Sequence, residues 1–162
     1  MAVIGDDNII KVTKYNINRC SVSVPSWNNN DSNYRQIGSQ TMTVSPVAAN
    51  SKFIIDINIM MFNVSSHGYI SLKRGGTSGT WLHRNEASDQ DGLFANHSNS
   101  TTEYWNAGFR YMDSPSQNNT NDIVYVPYVG MWSGTTLYLG SYSNNGNAEM
   151  PNMCMYITEV AA

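Results

Sequence analysis

Charge is what this sequence has least of. Only 13% of its 162 residues are Asp, Glu, Lys or Arg, against about a quarter in ordinary globular proteins. The nine basic residues are scattered, with Lys73-Arg74 as the one adjacent pair, and the net charge is -3. Clustered positive charge is what neutralises a phosphate backbone, so nucleic acid is not an expected partner. No run approaches the ~20 apolar residues of a membrane helix, so membrane insertion is not expected either. Acids at Asp6 and Asp7, with no basic n-region, do not make a signal peptide. Cysteine is scarce too. Cys20 and Cys154 are too few for a disulfide framework and lack metal-site spacing. Both are expected as reduced core residues, able to pair only if the first and last strands are neighbours.

Catalytic signatures are also missing. There is no Gly-x-Ser-x-Gly elbow. His67, His83 and His97 fall in or beside polar turns at spacings that match no metal motif. Asp89-Gln90-Asp91-Gly92 begins like a calcium loop, but Ser100 stands where the closing Glu belongs. Among Asp56, Glu86, Asp89, Asp91, Glu103, Asp113 and Asp122, nothing singles out a pair for glycoside cleavage. The expectation is a protein that is not an enzyme, with no cofactor and no metal.

What is present is aromatic and β-branched. Ten Tyr, four Trp and four Phe accompany the small net charge, which is the opposite of a disordered composition. The clearest strand is Lys52 to Phe62. Phe53, Ile55, Ile57, Ile59 and Met61 share one face, and Asp56 and Asn58 mark the other. Further strands are expected at Ile9 to Tyr15, Cys20 to Val24, Tyr34 to Val44, Gly68 to Lys73, Gly79 to His83, Tyr104 to Met112, Asp122 to Val129, Thr136 to Tyr142 and Met153 to Val160. Pro127 cannot donate a ladder hydrogen bond, which predicts an edge strand or a bulge. Gly75-Gly76 suits a two-residue hairpin turn. The stretch from Asn85 to Thr102 reads as a long polar loop. Many short strands at this spacing make a sandwich or a barrel. The length suits one domain over residues 9–162, with residues 1–8 as an appendage.

The aromatic residues exceed what a small core needs. Trp27, Trp81, Phe94, Tyr104, Trp105, Tyr128, Trp132 and Tyr138 are candidates for an interface or receptor-binding surface, with core packing as the plain alternative. Tyr138 alternates with Leu137 and Leu139, and Val124, Val126 and Tyr128 alternate with Ile123, Tyr125 and Val129. Strands apolar on both faces fit either an oligomer or a sandwich strand buried twice within one subunit.

Four stretches carry a resemblance. They are Thr41-Met42-Thr43-Val44-Ser45-Pro46 running through Ala48-Ala49-Asn50-Ser51-Lys52; Ile70-Ser71-Leu72-Lys73-Arg74-Gly75-Gly76-Thr77; Tyr111-Met112-Asp113-Ser114-Pro115 with the strand in 121–129; and Tyr138 to Asn145 followed by Met155-Tyr156-Ile157-Thr158-Glu159-Val160-Ala161-Ala162. In order and spacing they resemble a β-domain of marine and cyanobacterial tailed-phage virion proteins, of tail-fibre or capsid-decoration type. The resemblance implies an all-β jelly-roll sandwich like the heads of complement and tumour-necrosis-factor proteins, assembled as a homotrimer. It implies a virion structural protein, put together in the host cytoplasm, whose partners are other copies and other virion proteins. A chain that is almost all head leaves no room for a fibre shaft, which favours a capsid or tail decoration or appendage. The alternative is a tail-fibre tip that recognises host surface glycan.

Overall fold

The computed structural model describes residues 9–26, 33–62, 66–82, 93–98, 104–133, 135–140 and 153–161. Within them lie twelve strands: β1 (Ile9–Ile17), β2 (Cys20–Val24), β3 (Arg35–Gln36), β4 (Met42–Val44), β5 (Lys52–Phe62), β6 (Ser66–Arg74), β7 (Thr80–Trp81), β8 (Phe94–Ser98), β9 (Tyr104–Asp113), β10 (Ile123–Met131), β11 (Thr135–Leu139) and β12 (Met153–Val160). The chain is paired as one long antiparallel hairpin. β1 pairs with β12, β4 with β10, β5 with β9, and β6 with β7 and β8. Rolled up, this hairpin forms two six-stranded sheets. In sheet A, β1, β12, β5 and β9 lie side by side, and β11 joins the end of β5 to β2. In sheet B, β3 and β4 share one edge of β10, β6 takes the other, and β7 and β8 follow beyond β6. First strand against last, wrapped into two facing sheets, is the jelly-roll topology, so the expected fold class is the observed one.

The period-two pattern decides which face turns inward. Phe53, Ile55, Ile57, Ile59 and Met61 of β5 are buried. Met155 and Ile157 of β12 and Trp105 and Ala107 of β9 extend that layer, and Ile70, Leu72, Tyr125, Val129, Met131, Met42 and Val44 face it from sheet B. Phe53 meets the Tyr125 ring edge-on at 6.4 Å. Each fully buried aliphatic side chain contributes about 1.5–3 kcal/mol, and this layer is where the sandwich is held.

Both open sides of the sandwich are laced by side chains. On one side, Tyr15 donates to the Thr43 carbonyl and Lys11 donates to the Ser45 carbonyl at 3.3 Å, tying β1 to β4. On the other, Tyr111 donates to the Leu82 carbonyl at 2.9 Å. There, Arg74 also pairs with the buried Asp113 at 2.5 Å, and Asp113 accepts the Tyr125 hydroxyl at 2.7 Å. Burial first, then the charge and hydrogen bond of Asp113, hold the Tyr125 phenol far above its ordinary pKa.

Five expectations need correction. The strand expected over Tyr34 to Val44 is two short strands, β3 and β4, separated by a turn with Gly38 at φ 56°. Pro127 is the reason. It lies in β10, a central strand and not an edge, opposite Leu72 of β6. Its carbonyl faces the β3–β4 side and accepts from Ile37 N–H at 3.0 Å. A residue's N–H and C=O point to the same side in a strand, so the missing donor faces the gap between β3 and β4. The Gly75-Gly76 hairpin is longer than two residues. It runs from Gly75 to Gly79, because the N–H groups of Gly75 and Gly76 both turn back to the Val124 carbonyl, at 2.8 and 3.4 Å. The strand expected over Gly79 to His83 shortens accordingly to β7, with His83 outside the described residues. The long polar loop is not all loop, since β8 adds to β6 through Ser66↔Ser98 to Ile70↔Phe94. Cys20 and Cys154 are free. They sit on β2 and β12, with β11 and β5 between those strands in sheet A.

Candidate functional site

The aromatic candidates whose side chains are described fall in different places. Trp105 is 5% exposed and belongs to the core between the sheets. Trp81 and Tyr128 do come together, on the outer face of sheet B. Their rings are 4.8 Å apart, Tyr34 lies 5.0 Å from Trp81, and Tyr69 and Val126 complete the cluster. The Lys73 ammonium sits over Trp81 at 4.5 Å and over Tyr128 at 5.5 Å, an electrostatic attraction to the ring faces. Tyr34, Tyr69, Val126 and Tyr128 are nonetheless buried within one chain. β10 is therefore buried on both faces without a second subunit, and its double apolar pattern is no evidence for one. Burial also raises the Tyr128 phenol pKa.

Trp132 is different, being 42% exposed at the end of β10. Its ring meets the His67 ring at 6.1 Å, its backbone N–H donates to the His67 carbonyl at 2.9 Å, and His67 stacks on Tyr69. Tyr138 is half-buried in β11, opposite Ser21 and Phe62. Phe94 begins β8 and Tyr104 begins β9. Trp27 lies outside the described residues.

Three of the described carboxylates have local structural partners. Asp56 accepts two hydrogen bonds from Arg110, at 2.6 and 3.1 Å, and that pairing raises the guanidinium pKa. Asp113 is engaged with Arg74 and Tyr125. Glu159, 1% exposed, accepts from the Val47 N–H at 2.8 and 3.0 Å, from the Ala48 N–H at 3.1 Å and from the Ser51 hydroxyl at 2.7 Å. A buried carboxylate surrounded by donors is an internal clamp on the turn before β5. Among the described residues, no three His, Cys, Asp or Glu side chains stand together as a metal site. No helix there is long and apolar enough to cross a membrane.

The surface that sequence reasoning missed is the outer face of sheet A. Strand registers set its rows. Val12, Thr158, Ile54 and Met112 form one; Lys14, Tyr156, Asp56 and Arg110 the next; Asn16, Cys154, Asn58 and Gly108 a third. Val12 is 56% exposed, Met112 50%, Tyr156 38% and Ile10 37%. The Lys14 ammonium lies 5.6 Å from the Tyr156 ring centre. Alternation in β1 and β12 was visible in the sequence, but the strand beside each row, and hence the shared surface, was not.

No family model matches the chain, and no curated protein matches it. Among solved structures, it is similar to the enzymatically active domain of bacteriophage CBA120 tailspike protein 4. That match has 10% identity and a TM-score of 0.38, covering 81% of this chain and 17% of the tailspike chain. It is also similar to a chain in the structure of infectious bursal disease virus, Gt strain. There the identity is 11% and the TM-score 0.45, covering 94% of this chain and 38% of the other. The chain thus spans well under half the length of either, and the jelly-roll assignment rests on its own strand pairing.

Proposed function

We propose that this chain is a non-enzymatic structural protein of a phage virion. In this reading it is a jelly-roll module that assembles with its own copies through the outer face of sheet A, as a decoration or appendage of capsid or tail. The observation that carries the proposal is that face. Its four side-by-side strands give a projected area of roughly 600 Å² from strand spacing and rise, approaching the ~800 Å² per partner of a stable contact. It also displays Ile10, Val12, Met112 and Tyr156 to solvent. The resemblance to phage virion domains fits two contacts. Arg74 and Asp113, from two of the resembling stretches, meet as one ion pair, and Glu159 of a third clamps the Ser45–Ser51 turn of the first.

Charge disfavours a two-fold pair of this face with itself. Lys14, Lys52 and Arg110 against Asp56 give the face +3 − 1 = +2. Two such faces repel each other. A contact between unlike surfaces closes into a ring only where its rotation allows, and the homotrimer that the resemblance implies is the ring proposed. Light scattering on the purified chain should give a trimer, and Val12→Glu with Met112→Glu should give a folded monomer. A wild-type monomer at micromolar concentration, with no trimer on the particle, would sink the proposal.

Trp132 favours the second reading, a receptor-binding tip for host surface glycan. An exposed indole braced by His67 is a platform on which a sugar ring can stack. Glycan-array binding lost in Trp132→Ala would select that reading. Turnover of host polysaccharide abolished by a single carboxylate change would replace both with an enzyme.

A further inference from the structure

The histidines stand at sequence spacings that match no metal motif, yet strand pairing brings two of them together. His67 lies in β6 and His97 in β8. The antiparallel register sets each directly opposite the other, between the Ser66↔Ser98 and Gly68↔Asn96 pairs. Directly opposed residues of such a pair share a face of the sheet, with Cβ atoms about 4.5–5.5 Å apart. Only the ladder closes the gap between these two positions, which is why their spacing in sequence hides them.

The row has a third member. On the other side of β6, Met131 pairs with Gly68, and the next residue, Trp132, donates its backbone N–H to the His67 carbonyl at 2.9 Å. The Trp132 and His67 rings meet at 6.1 Å, and His67 stacks on Tyr69 of the outer-face cluster. The row therefore runs across the outer face of sheet B. Trp132 is exposed and His67 half-buried, so solvent reaches it.

Imidazole is the commonest protein ligand of late first-row metals. Metal–nitrogen bonds of about 2.0–2.1 Å put two nitrogens on one tetrahedral ion roughly 3.3 Å apart. Rings on directly opposed Cβ atoms can span that gap. Two protein nitrogens leave the ion's other positions to water, which makes for moderate affinity and ready exchange. In the described pairings β8 joins sheet B through β6, and its sequence is polar. An ion shared by both strands would cross-link them and favour the folded arrangement by mass action.

We propose that His67 and His97 together bind one divalent transition-metal ion of the zinc or copper class, which staples β8 to β6 on the outer face of sheet B. The site does not depend on how copies of the chain assemble.

The test is titration of the purified chain with copper(II) chloride, read by tryptophan fluorescence, and with zinc chloride, read by calorimetry. One ion should bind per chain, and copper should quench the Trp132 indole because that ring stands beside His67. His67→Gln and His97→Gln should each weaken binding at least tenfold while keeping the metal-free melting temperature of the wild type. Trp132→Phe should bind zinc as the wild type does and lose most of the quenching. In the wild type, zinc should slow hydrogen exchange of the β8 amides, a readout that needs no variant; if it does not, the staple is wrong whatever the variants do. If His97→Gln binds like the wild type, the ion is not shared between the strands, which overturns the pair as a site. Loss of binding in His83→Gln, with His67 and His97 intact, would put the ion elsewhere and overturn it too. Saturation only at millimolar metal would mean an adventitious ion only, and the site falls.

Discussion

Glu159 is a charge placed where only hydrogen bonds can justify it. Three donors converge on its carboxylate at the end of β12, and no cation accompanies them among the described residues. Glu159→Ala would leave those donors without their acceptor, at a cost of about 3 kcal/mol. Urea unfolding should show it, with Glu159→Gln falling between the two because its amide keeps one acceptor oxygen. Tyr125 makes the opposite kind of demand, since it must stay protonated to donate to Asp113. Its folded pKa is raised above the unfolded value near 10, so its contribution is complete below pH 10 and is lost as pH rises beyond it. The urea midpoint should therefore fall on the alkaline side of pH 10. Tyr125→Phe should flatten part of that slope, the remainder belonging to Tyr15, Tyr69, Tyr111 and Tyr128, whose pKa values burial also raises.

Elements were legible wherever period two was strong. β5 was read with its observed limits because alternating Ile residues admit only one face inward, and β2 and β12 matched for the same reason. β8 was missed because Phe94-Ala95-Asn96-His97-Ser98 is too polar to declare a buried face, and only pairing with β6 makes it a strand. The break between β3 and β4 could not be read from their own residues, because its cause is Pro127, some ninety positions away in sequence. The turn between β6 and β7 depends on Gly79, whose added Cβ would fall 2.0 Å from the Arg74 carbonyl oxygen. Gly79→Ala should cost more than about 1 kcal/mol. The loss should appear as early hydrogen exchange in β6 and β7, with the β1–β12 ladder protected as before.

For the whole molecule, the sequence made the sandwich readable but not its surface. Aromatic residues were weighed as interface candidates because sequence cannot tell a core ring from an exposed one. Trp105 and Tyr128 proved buried, whereas Trp132 is exposed. The outer face of sheet A escaped notice because it is made of single residues from four strands, each unremarkable in its own stretch. The monomerising changes at Val12 and Met112 belong to this scale, since they alter a surface and leave every ladder intact.

Pairing the first strand with the last also has a consequence in time. Ile9 waits for Val160, and ribosomes add about 5–20 residues per second. For roughly ten seconds or more of synthesis, β1 has no partner, and its backbone N–H and C=O groups lack the ladder that β12 supplies. β5 likewise lacks the neighbour it needs along Lys52–Asn58 until β12 emerges. The fold therefore closes only after β12 has emerged, and the residues of that strand act as its latch. A chain stopped just before them would be a nascent sandwich with two bare ladders, fit for chaperones or proteases and not for a particle.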